Sequence, residues 1–444
     1  MRQIKRVTRN FLSERLVSFF FVCQFARVTP CLHFFAMTFG KPFFVGCILA
    51  LNVVLSAAPD QSPAFESGHY RNLFSEHLGK TEAELDAKLA AVWHQFTVGD
   101  PAAERLFYTT ADGMTYLPDI AHDDVRTEGQ SYGMMLAVQM NNRPEFDRIW
   151  KWTKHYMFHP DGPFAGYFAW HCRYDGTQIH AGPAPDGEEW FVMALFFAAH
   201  RWGNGGGIFN YEAEAQTLLH RMLNNNDGAA ASPAPMFNRE QKQIVFVPNG
   251  PASHFTDPSY HLPAFYELWS RWAADPADRA FLAEAAQVSR KLFHATAHPV
   301  TGLMPDYASF DGTPYARGGH DNFLFDAYRT ISNVALDWSW FGRDPWQIEQ
   351  SNRVLAFLAA QGPKPSNNYT LAGKPLTTDY SPGLPAMAAV GALAANSADA
   401  KLFVQRLWDM PIPSGRERYY DGLLYFLALM QTGGRYQIYR PHTP

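Results

Sequence analysis

The chain alternates two kinds of apolar segment, and that alternation constrains its fold more than any other feature. Trp190–Ala199 and Leu423–Met430 are apolar nearly all round, so helices made from them must be covered on every side. Asp278–Leu292 instead carries an apolar stripe with a polar back, the pattern of a helix facing solvent. Beyond residue 68 the periodicity predicts helices at Thr81–Phe96, Gly129–Met140, Pro144–Met157, Gly187–Trp202, Tyr211–Leu223 and Tyr260–Trp272. It predicts six more at Ala277–Ala297, Phe323–Trp340, Pro345–Ala360, Gly383–Ala395, Ala400–Trp408 and Tyr419–Gln431. The first opens on Thr81 with Glu84 three residues later, a capping-box pattern. Gln243–Pro248 is the one tempting strand. Pro and Gly gather between the helices, as in Pro160–Pro163, Gly182–Gly187 and Gly203–Gly207. An inner ring of buried helices wrapped by amphipathic ones predicts an all-α toroid, built as one domain without a linker. No solenoid period is evident.

The N-terminal 58 residues read differently. They hold Arg2, Lys5, Arg6, Arg9, Arg15, Arg27 and Lys41 against one acid, Glu14. From Met37 the pattern is a secretory signal: Lys41, the apolar run Pro42–Leu55, then Ser56-Ala57-Ala58, with cleavage expected near Ala57 or Ala58. A reading frame starting at Met37 would explain the residues before it. An apolar run of about 14 residues is short of the ~20 a spanning helix needs, and Cys47 lies too early in it for a lipid-attachment site. Residues 1–58 are therefore expected to be a leader, and 59–444 the single folded domain of an exported protein, periplasmic or secreted. Taking the leader's seven basic residues and one acid from 37 and 42 leaves 30 against 41, a net charge of −11. That excludes the basic stripe a nucleic-acid partner requires. One cysteine, Cys172, remains, so no internal disulfide is expected.

Three carboxylates stand out because each lies at a predicted helix start or in a turn rich in glycine and aromatic residues. Glu128 lies in Thr127-Glu-Gly-Gln-Ser-Tyr-Gly-Met-Met135, where Gly129 and Gly133 allow close backbone approach. Asp186 lies in Ala184-Pro-Asp-Gly-Glu-Glu189, placed as the N-cap of a buried helix. Asp326 precedes Arg329 by one turn in Phe323-Leu-Phe-Asp-Ala-Tyr-Arg329. For one such acid alone, capping or a structural ion pair is the commoner explanation. Aromatics make up 15% of the chain, with Phe 35, Tyr 20 and Trp 12, more Trp and Tyr than a core needs. The excess points to a cleft for flat apolar faces. His122-Asp123-Asp124 and Gly319-His320-Asp321 match no metal-ligand spacing. No Gly-x-Ser-x-Gly elbow or Walker loop is present.

Taken together and in order, the Glu128, Asp186 and Asp326 stretches resemble glycoside hydrolase family 8, and within it the reducing-end xylose-releasing exo-oligoxylanases. Tyr70–Phe74, Phe146–Trp152, Ala165–Trp170, Asp257–Pro263 and Arg418–Asp421 extend the likeness from about Tyr70 to Tyr439. The resemblance implies an (α/α)6 barrel and inverting hydrolysis of β-1,4 bonds in xylo-oligosaccharides or xylan. It implies Glu128 as general acid, Asp326 as general base, Asp186 as holder of the distorted sugar at subsite −1, and Arg329 as the residue that orients Asp326. Trp170, Tyr260, Tyr419 and Tyr420 would supply stacking faces and hydroxyl contacts. The chemistry suits these residue types: inversion needs a protonated carboxyl on the leaving oxygen and a carboxylate that activates water across the ring.

The exo-acting members close the cleft past subsite +1 with a Leu-His-Pro loop. The matching stretch here is Thr378-Asp379-Tyr380-Ser381-Pro382-Gly383, where Asp379 and Tyr380 could meet the reducing-end hydroxyl. An endo-acting xylanase of the same family is the alternative, with endoglucanase or chitosanase action behind it. A barrel that binds carbohydrate without cleaving it is disfavoured, because the three carboxylates and Arg329 are all kept. No cofactor, metal or membrane contact beyond the leader is expected of what is read as a monomer.

Overall fold

The computed structural model describes residues 62–225 and 234–441, all within one compact unit, Asp60–Pro444. The leader lies outside the described residues. Three short or outer helices come first: α1 (Ala64–Ser67), α2 (Leu73–Leu78) and α3 (Glu82–Val98). Then follow α4 (Thr127–Gln139), α5 (Arg143–Tyr156), α6 (Pro185–Trp202), α7 (Tyr211–Asn224), α8 (Pro263–Trp272) and α9 (Pro276–Thr296). The last are α10 (Tyr328–Phe341), α11 (Trp346–Ala360), α12 (Gly383–Gly391), α13 (Asp399–Asp409) and α14 (Arg418–Thr432).

The arrangement is an (α/α)6 barrel. Helices α4, α6, α8, α10, α12 and α14 form the inner ring. Most neighbours touch along their length, α14 closes on α4, and α6 meets α8 through Trp190 and Phe265, whose ring centres are 5.2 Å apart. Helices α5, α7, α9, α11, α13 and α3 each back one inner helix. Burial follows the sequence pattern. Every residue of α12 is buried, and in α6 every one from Pro185 to His200 is. In α3 only Leu85, Leu89, Val92 and Phe96 are. Thr81 and Glu84 form the reciprocal capping box. Because an outer helix returns the chain between successive inner ones, the inner helices all run the same way and their N-termini gather at one end.

Several boundaries differ from the expectation, each for a local reason. The helix expected from Tyr260 starts at Pro263: residues 258–260 form a 3-10 turn, and a residue preceding proline resists helical geometry. The helix expected from Phe323 starts at Tyr328, so Asp326 sits in a turn and not inside an apolar helix. Gln243–Ile244 does pair, with Phe237–Asn238. The sequence reading missed a small antiparallel sheet of Pro118–Asp119, Asp124–Arg126, His171–Cys172 and Gln178–His180, whose strands are too short to show a period. Cys172 is a buried free thiol within it. No described helix is long and apolar enough to cross a membrane.

Candidate active site

Three inner helices bring their first turn to one cleft of about 580 Å³, and a fourth sets an arginine of its first turn behind it. Helix α4 supplies Glu128, α6 supplies Asp186, α10 supplies Arg329, and α14 supplies Tyr419 and Tyr420. Trp170, Tyr260, Phe325, Asp326 and Tyr380 line the same space.

Local chemistry sets these positions. The strand Asp124–Arg126 pairs with His171–Cys172, and the Thr127 N–H donates to the Trp170 carbonyl at 3.0 Å. This fastens the start of α4 to Trp170. Gly187 lets α6 abut that start: a Cβ there would stand 2.4 Å from the Thr127 Cβ. Asp186 therefore arrives beside Glu128. It is not the N-cap; Ala184 is, and Asp186 follows Pro185, the first helical residue. Its Oδ1 accepts its neighbour's N–H, from Gly187, at 2.9 Å.

Arg329 is the hub. Its Nη1 donates to Glu128 Oε1 at 3.1 Å, Asp186 Oδ2 at 3.0 Å and the Tyr132 hydroxyl at 3.0 Å. Its Nη2 donates to Ser259 Oγ and pairs with Asp326 Oδ1, both at 3.0 Å. The guanidinium also lies 5.6 Å from the centre of the Tyr260 ring. A planar fork with five donors holds several carboxylates in fixed directions at once. Glu128 completes its bonding with the Tyr419 hydroxyl, 3.2 Å from Oε2.

The electrostatics separate the carboxyls. Burial raises the Glu128 pKa to about 7; Asp186 and Asp326 push the same way, against the pull of Arg329 and Arg126. Glu128 therefore holds its proton near neutral pH, as a general acid must. Burial likewise raises Asp186, against the pull of Arg329. The Asp326 side chain is 37% exposed and faces the cleft, open to water.

Of the residues singled out from the sequence, all but Arg329 line this cleft, and Arg329 lies buried behind it; two of the aromatics work differently from expectation. Tyr419 is buried, and its hydroxyl serves Glu128 instead of offering a ring face. The Tyr420 hydroxyl donates to the Phe325 carbonyl at 2.7 Å and so steadies the turn that carries Asp326. Trp170 is half-buried, with His171 stacked on it at 4.4 Å and Arg126 at 5.8 Å. Tyr380 is exposed at the cleft edge.

Sequence reasoning missed Tyr132 and Ser259. Tyr132 lies one helical turn beyond Glu128, a spacing that could have marked it. Ser259 lies in the Asp257–Pro263 stretch that carries part of the family likeness, but no spacing there marks its hydroxyl as a partner of Arg329. The two histidine motifs are absorbed in carboxylate pairs, His122 with Asp119 at 2.8 Å and His320 with Asp306 at 2.9 Å.

A carboxyl held protonated near neutral pH, a second carboxyl on the far nitrogen of the same guanidinium, and an aromatic-lined cleft on a helical barrel are the parts of a glycoside hydrolase. Residues 88–434 match the profile of glycosyl hydrolases family 8, and the chain belongs to that family. The reducing-end xylose-releasing exo-oligoxylanase Rex8A of Paenibacillus barcinonensis is 45% identical over 381 residues, covering 85% of this chain and 98% of that protein. The reducing-end xylose-releasing exo-oligoxylanase of Halalkalibacterium halodurans is 44% identical, over 85% and 96%. The structure of Rex8A complexed with xylose superposes with a TM-score of 0.81, covering 85% of this chain and 100% of that one, at 44% identity. A family 8 xylobiose complex from Teredinibacter turnerae gives 0.81 at 43% identity, over the same shares.

Proposed function

We propose that this enzyme hydrolyses β-1,4-xylosidic bonds of xylo-oligosaccharides and releases single xylose units from the reducing end. Glu128 protonates the leaving oxygen while Asp326 takes a proton from water attacking the opposite face of the ring. Arg329 holds both groups and Asp186, which grips the sugar between them. Trp170 and Tyr260 supply ring faces to that sugar. The observation that carries the reading is the shared guanidinium: acid and base bind opposite nitrogens of one rigid plane, an arrangement suited to an in-line pair.

The exo mode is supported by the stretch 377–383. The Asp379 carbonyl accepts from the Asn367 N–H at 2.8 Å, and the Thr377 hydroxyl donates to Asn367 Oδ1. The Ser381 hydroxyl and the Gly383 N–H both donate to Asp421 Oδ1. A stretch tied at four points suits a fixed wall, and Asp379 and Tyr380 line the cleft beside it. An endo-acting xylanase is the second reading, because Tyr380 is 38% exposed and no histidine stands in the wall. Reducing-end-labelled xylotetraose separates them. Labelled xylose as first product is expected; labelled xylobiose with falling viscosity of polymeric xylan would establish the endo mode.

We also infer export, from the Lys41–Ala58 pattern, and action as a monomer. Fractionation of cells producing the full chain, with N-terminal sequencing, tests the first. Sedimentation of the processed protein tests the second.

A further inference from the structure

The turn that carries Asp326 has a second support, from behind. The Ala327 N–H, one peptide beyond the base, donates to Asp306 Oδ1 at 3.1 Å. Asp306 is buried, and its Oδ2 pairs with His320 Nδ1 at 2.9 Å. The imidazole lies flat on Tyr307, 4.2 Å between ring centres and 13° between planes. The two segments are also bonded through their backbones: the Asp306 N–H donates to Asn322 and the Tyr307 N–H to His320, each at 2.9 Å. A half-exposed imidazole is thus joined through a buried carboxylate to the backbone of the catalytic turn.

The geometry points to Asp306, held by His320, as a positioning residue that aims Asp326 and sets the charge behind it. This rests on the reading of Asp326 as general base. A carboxylate with almost no exposure needs a cationic or donating partner, and His320 is the side chain bonded to it. Burial raises the Asp306 pKa to about 6, with the His320 hydrogen bond opposing and Asp326 adding to the rise. The other charged or titratable neighbours are Asp257, which caps the 3-10 turn, Tyr328 at the start of α10, Asp321 beside the histidine, and Tyr307 with Arg317 near it. Asp306 is the carboxylate that accepts a backbone N–H of the catalytic turn.

Two substitutions on the full-length enzyme test this with xylotriose. D306N keeps an acceptor for the Ala327 N–H but removes the charge. It should keep kcat within a few-fold below about pH 6, where Asp306 is itself largely protonated, and its pH profile should depart from the parent's above that pH, where the parent carries a charge that the amide lacks. D306A removes the acceptor and should lower kcat at least about tenfold with KM nearly unchanged, since small misplacements of a catalytic group are costly. A D306N profile that overlays the parent, or a folded D306A with parental kcat, overturns the proposal. D326N separates the two readings. If it still turns over, Asp326 is not the base; if it is inert while both Asp306 variants behave as the parent, only the support from Asp306 falls.

Discussion

Gly129 and Tyr419 compete for one space: a Cβ on residue 129 would stand 2.5 Å from Cε2 of the tyrosine ring. The hydrogen bond from Tyr419 to Glu128 exists because residue 129 has no side chain. Gly129→Ala should therefore displace the ring and strip the acid of a partner. We expect kcat on xylotriose to fall by about ten- to a hundredfold and stability by roughly 1–3 kcal/mol, as for other overpacked sites. Steady-state kinetics and a denaturant titration check both.

Glu128 and Asp326 differ in what the substrate can do without. Glu128→Ala should lose most activity on xylo-oligosaccharides yet keep far more on an aryl xyloside whose leaving group needs little protonation. Asp326→Asn should lose about 10²–10⁴-fold on both, because water still needs a base. Equal losses on both substrates for Glu128→Ala would remove it from the acid role.

The pH dependence follows from the raised Glu128 pKa of about 7. In the acid role proposed for it the protonated form is the working one, so kcat/KM should decline as pH rises through about 7. The same shift acts on folding: the folded state holds this proton more tightly than the unfolded chain. The contribution is full below the ordinary value of 4.5 and is lost as pH rises towards 7. A pH–rate profile and a pH series of unfolding curves measure the two separately.

Arg329 faces three carboxylates from a nearly fully buried position. Arg329→Met should leave them uncompensated, costing roughly 3–5 kcal/mol as for other broken buried pairs, and should push the Glu128 proton to higher pH. A denaturant titration near pH 5 compared with pH 8 should show the loss growing with pH, as the carboxyls ionise.

Ser381→Ala removes one of the two donors to Asp421 Oδ1. A loosened wall should admit longer leaving groups, so the share of labelled xylobiose from reducing-end-labelled xylotetraose should rise, with total turnover changing less than the product ratio. An unchanged ratio would show that the Ser381 hydroxyl does not hold the wall.

Local pattern made much of this molecule readable. The capping box at Thr81, the all-round apolar α6 and α14, and the striped α9 are each set within one or two turns of chain, where side-chain period and capping chemistry act. The family likeness marked Glu128, Asp186, Asp326 and Arg329 by their neighbours. It did not show that Tyr420 steadies a turn, that Tyr419 bonds Glu128, or that Asp186 follows the cap instead of being it.

The sequence by itself thus determined the helices, which of them must be buried, and the carboxylates present to do chemistry, because these depend on hydropathy and residue type along the chain. Only the tertiary structure decided that Arg329 meets Glu128, 201 residues away, and Asp186, 143 away. It likewise decided that Asp306 bonds the turn carrying Asp326 from behind. Closing the ring gathers the first turns of the inner helices and removes water around them. Burial and charge then act on one another through space, and no periodicity along the chain encodes those distances.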